Sequence, residues 1–398
     1  MAKPPIEKRV KPIDDTSTVG RESQFLNRLV WLTAATVFPL IWAGGLVTTT
    51  KAGMAVPDWP GTYGYNMFLY PWTTWFFGPW DLFIEHGHRL LGSLAGIWCL
   101  LLVGATWVRP TPKSVRILAL GGLALVVLQG IMGGVRVLNV DREIARIHGC
   151  LGPAFFAYLL GLSVVTSRWW KAVAIPTFWT NGSGLTGGET AGFHSQAEIV
   201  RAGRLVLARL KAQRFLTMVV LCLAYGQLVL GASIRHISEA AEPSYFRAIV
   251  WFHVTGAICT AGAAIALWVA ARCPTPGLSM PRWILVGLVG LQICLGLGTW
   301  VMKYNFPDWF AGYAFAQAHR IVSDDFYQVQ IVTAHVAVGS LILGVAALLL
   351  TRLWRAEFCL QAIVAKFPLE VQRETSSDRS TVQVSPGIAV GSEKLTPC

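Results

Sequence analysis

The chain has 398 residues, 54% of them hydrophobic and only 14% charged, with a net charge of +12. Soluble domains carry about 25% charged residues, and the shortfall excludes an ordinary soluble enzyme. The charges are also segregated. Eight stretches, near 29–50, 90–108, 117–135, 149–167, 215–234, 248–270, 283–302 and 326–351, contain no Asp, Glu, Lys or Arg. Crossing a bilayer takes about 20 apolar helical residues at about 1.5 Å each, whereas a membrane strand needs only about 9–11. The expected fold is an all-α polytopic membrane protein with eight transmembrane helices.

Taken in chain order, residues 1–28 form a polar tail. The first apolar stretch lacks a small-residue cleavage signature and reads as a retained helix rather than a signal peptide. Lys3, Lys8, Arg9, Lys11, Arg21 and Arg28 precede it, and Arg109, Lys113 and Arg116 join the second and third helices. Arg168, Lys171 and Arg201 through Arg214 join the fourth and fifth, Arg272 and Arg282 the sixth and seventh, and Arg352 and Arg355 follow the eighth. The alternate loops mix both signs. The positive-inside rule therefore puts both termini in the cytoplasm. The basic excess is a topology signal, and no nucleic-acid partner is expected.

The linker 168–214 holds a Gly/Ser/Thr-rich stretch at 181–192 and divides the chain into 29–167 and 215–351. Residues 352–398 form a C-terminal cytoplasmic tail. The halves repeat. Gln129 with Gly133, Gln227 with Gly231 and Gln292 with Gly296 mark odd-numbered helices, while His88, His148, His253 and His335 open the even-numbered ones, each followed by glycine. Pro57-Asp58-Trp59 recurs as Pro307-Asp308-Trp309. Two pseudo-symmetric four-helix bundles from a duplication are the economical reading. None of the eight cysteines lies in a C-x-x-C pair, and no structural disulfide is expected.

An ionisable residue inside a bilayer is expensive and functional by default. Four histidines at similar depth, two per bundle, point to joint ligation. Zinc favours three or four ligands on one point, whereas two imidazoles on facing helices suit the two axial positions of a haem. Arg89, Arg136, Arg142, Arg146, Arg235 and Arg247 could meet its carboxylates. Trp59, Trp72, Trp75, Trp80 and Trp309 read as an interfacial belt, and His194, His236 and His319 as solvated loop residues. Glu85 stands three residues before His88, so both can face one pocket. It is either a first-turn helix charge or an acid/base or charge-stabilising group.

At Glu85-His86-Gly87-His88-Arg89 the chain resembles the haem A synthase family, which carries a Glu-x-x-His-Arg motif. The likeness runs over about 25–352 and takes in Gly44-Gly45, Thr48, Gly53-Met54 and the three later histidines. It implies an oxidoreductase of the cell inner membrane, in which His253 and His335 ligate a haem b cofactor in the C-terminal half. His88 and His148 would hold substrate haem O in the N-terminal half, with Arg89 beside it. It also implies oxidation of the haem O C8 methyl group to the formyl group of haem A, with Glu85 as the catalytic carboxylate. Haem O synthase, terminal oxidase assembly factors, membrane lipid and an electron acceptor of unknown identity are the implied partners, with a homo-oligomer left open. The chain departs from members with paired loop cysteines, and His86 competes with His88 as ligand. Bis-imidazole ligation equally suits a di-haem electron carrier or quinol oxidoreductase, and the membrane histidines with Glu85 could form a transporter's proton relay.

Overall fold

The computed structural model describes residues 15–174, 196–238, 240–271, 277–322 and 325–365. The stretch 181–192, His194, Cys273, Cys398 and the tail beyond 365 lie outside the described residues. Eight helices are long and apolar enough to cross a membrane: α1 (Asp15–Thr49), α2 (Trp80–Val108), α3 (Lys113–Leu138), α4 (Arg142–Val165), α5 (Gln196–Arg235), α6 (Pro243–Ala270), α7 (Ser279–Tyr304) and α8 (Phe326–Val364). The chain is an all-α polytopic membrane protein. Local chemistry sets several helix starts. Asp141 caps α4 by accepting from the amides of Glu143 and Ile144, Asp325 caps α8 through Tyr327, and Pro243 opens α6 where a missing N–H costs nothing.

The helices close into two rings. In the first, α1 packs on α2, α2 on α3, α3 on α4 and α4 back on α1. The second closes in the same order through α5, α6, α7 and α8. The rings meet where α8 packs on α4 and α1. Accordingly α4 and α8 are the most buried spans, whereas the other six leave apolar side chains such as Trp251, Phe252 and Leu297 exposed on the perimeter. At the seam a Cβ on Gly344 of α8 would stand 2.7 Å from Leu160 and 2.9 Å from Phe156 of α4. Only a glycine lets these two backbones approach so closely.

Several helices run past their apolar stretches; α5 starts at Gln196 rather than near 215, and α2 at Trp80 rather than near 90. The last continues to Val364 rather than stopping near 351, and the first reaches back to Asp15. A charge-free stretch reports the hydrocarbon thickness, not the end of the helix. The six described cysteines, Cys99, Cys150, Cys222, Cys259, Cys294 and Cys359, are all free thiols.

Candidate functional site

Each ring holds one histidine pair on its diagonal. His88 of α2 and His148 of α4 face each other with imidazole centroids 6.4 Å apart and planes at 78°. His253 of α6 and His335 of α8 repeat this at 6.2 Å and 70°. Two metal–imidazole bonds of about 2 Å, plus roughly 1 Å from each nitrogen to its ring centre, sum to about 6 Å. The spacing fits one iron between the members of each pair. Among the described residues no three His, Cys, Asp or Glu side chains converge as a metal cluster, which disfavours zinc. Two imidazoles with the remaining positions left to a macrocycle is the arrangement of a haem.

All four rings are seated alike. Each lays its Cε1 over a glycine of the preceding helix, where an added Cβ would stand 3.0 Å away at Gly44 (His88), 3.2 Å at Gly133 (His148), 3.4 Å at Gly231 (His253) and 3.1 Å at Gly296 (His335). The missing side chain lets the imidazole reach the backbone carbonyl one turn earlier, that of Leu40, Gln129, Gln227 or Gln292. Such a carbonyl orients a metal-binding histidine from behind. The Nδ1 atoms of all four rings are nevertheless buried without a partner at full hydrogen-bond geometry. Buried polar atoms are normally satisfied, and all four rings share this one half-satisfied state. The glutamines pack alike too: an added Cβ on Gly152, Gly256 or Gly339 would meet the amide nitrogen of Gln129, Gln227 or Gln292. The Gly44 member of this fourfold pattern escapes a Gln–Gly search because Leu40 stands where the others have glutamine.

Among the described residues, the first pair alone lies beside an extensively tethered loop. Residues 50–79 link α1 to α2, and one face of α2 ties them down. Glu85 Oε2 accepts from the Val56 amide at 2.9 Å, and Oε1 pairs with Arg89 at 3.0 Å. The Arg89 guanidinium also donates to the carbonyls of Asp58 (2.7 Å), Gly61 (3.0 Å) and Val56 (2.7 Å). Asp58 in turn accepts from the amides of Tyr63 and Gly64 at 2.8 and 2.9 Å. Burial raises the Asp58 carboxyl, but these amides outweigh it and hold it below the usual carboxylate range. Tyr63 and Gly64 both take positive φ, 50° and 79°, so glycine suits the second position of this turn. Trp59 lies flat on α3 at Gly134, where an added Cβ would stand 2.2 Å from the indole.

Several sequence-based expectations need revising on this geometry. Glu85 lies beyond the first turn of α2, whose acidic residue is Asp81, so the helix dipole does not explain it. His86 is 1% exposed and turns to the loop, with Nδ1 at 3.1 Å from Thr62 Oγ1 and the ring packed against Trp75 and Tyr70. It is not paired with His148, whereas His88 is. Arg89 gives its donors to loop carbonyls and Glu85. Trp59, though 37% exposed, lays its ring on Gly134, and Trp75 packs on His86, while Trp72, Trp80 and Trp309 are more exposed. The two Pro-Asp-Trp motifs are therefore not used alike. His319 contacts the Val301 carbonyl and Phe306 rather than standing free in solvent.

No family model matches the chain. Curated proteins named Heme A synthase do. One from Beijerinckia indica is 28% identical over 163 residues, covering 34% of this chain and 45% of that protein. Those from Symbiobacterium thermophilum and Geobacillus kaustophilus are 33% identical over 141 residues and 32% over 143, each covering 34% of this chain and 42% or 43% of the relative. The chain is similar to haem A synthases. These matches span less than half the length of the relatives.

Proposed function

We propose that the chain is a haem A synthase of the cell inner membrane, with both termini cytoplasmic, which oxidises the C8 methyl group of haem O to a formyl group. The supporting observation is the asymmetry of two otherwise matching histidine pairs. Among the described residues only the first lies beside a buried carboxylate–guanidinium pair and a fastened loop. His88 and His148 are assigned to the substrate haem, and His253 and His335 to a resident haem b. A haem b held there supplies reversible one-electron exchange.

The conversion takes one water and releases four electrons and four protons as CH3 becomes CHO, so an external electron acceptor is required. Within this reading the residues of the first ring do three things. His88 and His148 fix the substrate's iron, and therefore its plane, relative to α2. The loop 50–79, held by Glu85, His86 and Arg89, limits water above that plane. Glu85, oriented by Arg89 and the Val56 amide, keeps a negative charge one helical turn from His88 to stabilise positive charge developing at the methyl carbon.

The test is haem extraction after expression in a host that makes haem O but no haem A, followed by separation by mass. Haem A and its hydroxylated intermediate support the synthase; haem B alone would point to a di-haem electron carrier instead. His253→Ala or His335→Ala should remove the resident low-spin spectrum. His88→Ala or His148→Ala should spare most of it and abolish conversion. If loss of His88 bleached the protein as fully as loss of His335, the division into substrate and cofactor halves would be wrong.

A further inference from the structure

We infer that Arg136 and Arg235 are the carboxylate sites of the two rings, Arg136 for a tetrapyrrole at the first histidine pair and Arg235 for one at the second. The inference rests on the haem reading above and deepens it. The two arginines are not repeat equivalents, one lying on the third helix of its ring and the other on the first, but each stands about one turn past a glycine that seats a histidine. Arg136 follows Gly133, which backs His148, by three residues, and Arg235 follows Gly231, which backs His253, by four. Each therefore emerges about one turn beyond its ring's seat, toward the end of the bundle where loop 50–79 lies.

Neither forms an ion pair among the described residues. Among the described residues the ion pairs are Glu85–Arg89, Glu143–Arg146 and Glu357–Arg214. Glu85 interacts electrostatically with Arg136, but both its oxygens are taken by Arg89 and Val56. The Arg136 guanidinium lies under the loop, where an added Cβ on Gly53 would stand 2.6 Å from Nη1, and its charge acts on both His88 and His148. Arg235 Nη2 donates to the Gly45 carbonyl and Thr49 Oγ1 of α1, leaving its other nitrogens without a hydrogen bond among the described residues. Thr49 Oγ1 is 3.5 Å from Thr333 Oγ1, and Thr333 lies two residues before His335. Arg235 therefore stands where α1, α5 and α8 meet, on the same face of α5 as Gly231, which seats His253.

The surroundings carry the same excess of charge. Burial, and then the charges of Arg235, Arg136, Arg146 and Arg142, push the His236 imidazole down to about 4. A cation placed in a membrane protein without a counter-charge is costly, and a guanidinium fork matches a carboxylate's two oxygens. A tetrapyrrole bound between either histidine pair brings its own carboxylates to this region.

The test isolates each pair in the full-length protein. His253→Ala leaves the first pair and His88→Ala the second. Each is titrated with ferric haem b and with its dimethyl ester, which lacks the charges, following the low-spin Soret band. The free acid should bind about 10–100-fold more tightly than the ester, the range of a hydrogen bond to a charged group. Arg136→Gln at the first pair and Arg235→Gln at the second should each remove that ratio, leaving the ester's affinity unchanged, and Arg→Lys should restore part of it. A ratio unmoved by both variants would overturn the inference, as would equal losses for acid and ester. The former is the outcome if these arginines hold an anionic lipid headgroup, the latter if they only brace helices. Absence of low-spin binding at either pair would overturn the haem reading as well, whereas loss of haem A formation alone would leave this inference standing.

Discussion

The glycines behind the histidines give a graded test of the seating. Gly231 and Gly296 back the two members of one pair, so alanine at either is read out on the same bound haem. A Cβ on Gly296 stands 3.1 Å from His335 Cε1, and one on Gly231 stands 3.4 Å from His253 Cε1. Optimal carbon contacts lie at about 3.5–4.0 Å, so Gly296→Ala intrudes by about 0.4 Å and Gly231→Ala by about 0.1 Å. Both replacements lie inside helices and gain the same intrinsic helix preference, about 1 kcal/mol, which cancels in the comparison. If the proposed haem iron holds its far side, the His335 imidazole cannot retreat. Overpacking of this kind costs about 1–3 kcal/mol, or roughly 5–150-fold in affinity at about 1.4 kcal/mol per decade. The assay is haem transfer from purified protein to an excess of a haem-scavenging apoprotein. Gly296→Ala should lose haem faster by that factor, and Gly231→Ala should stay near wild type. In the first ring Gly44→Ala, at 3.0 Å, should disturb binding more than Gly133→Ala, at 3.2 Å. If Gly231→Ala released haem as fast as Gly296→Ala, the seating would not be what sets the ring positions.

Three further outcomes are expected. Glu85→Gln should keep both low-spin spectra while haem A formation drops by about 10²–10³; unchanged yield at equal protein level would leave Glu85 only its tether to Val56. Arg89→Lys keeps the charge but cannot serve three carbonyls and a carboxylate at once, at about 1.5–3 kcal/mol per charged hydrogen bond lost. Amide exchange in 51–79 should therefore rise while haem at His253 and His335 is retained, and unaltered exchange would contradict the tether. His236 sits at about 4 when folded, below its ordinary 6.5, so the unfolded chain takes up the proton first as pH falls. Stability from this group is present near pH 7 and shrinks as pH drops through about 6.5 toward 4. Thermal midpoints of His236→Gln should fall less than wild type between pH 7 and 5, and equal falls would argue against a buried neutral imidazole.

The eight spans were legible because exclusion of charge from hydrocarbon is a local, composition-level effect. The extension of α8 to Val364 was not, since helix outside the bilayer tolerates Arg352, Arg355 and Glu357 without a sequence mark. The histidine pairing was legible from one His per even-numbered helix, and three of the four seats from Gln–x3–Gly. What stayed hidden was the loop. The contacts of Glu85 with Val56, His86 with Thr62 and Arg89 with Asp58 join residues 24 to 31 apart, and no periodicity records such a pairing. Spacing alone therefore made His86 look like a rival ligand and Arg89 a free cation. Trp59 looked like a belt residue for the same reason, because its partner is a glycine on another helix.

Two departures from the repeat fall in the first ring, and they act together. The second ring has Gln227 and Gln292 one turn before both seating glycines, and among the described residues its linking segments tie nothing comparable across α6. In the first ring Leu40 replaces one glutamine, which removes an amide from beside His88 and leaves an apolar side chain there. On the same side of that ring Glu85, His86 and Arg89 fix the loop and bring a buried ion pair within one turn of His88. A resident redox group needs only two oriented imidazoles in a rigid, low-dielectric setting. A macrocycle that is to be altered also needs a fixed charge on one side and control of water above it. The duplicated scaffold supplies the first requirement twice, and the loop with its three anchors adds the second once. The two histidine pairs are thus alike in geometry and different in what surrounds them, and on the proposed reading it is the surroundings that separate substrate from cofactor.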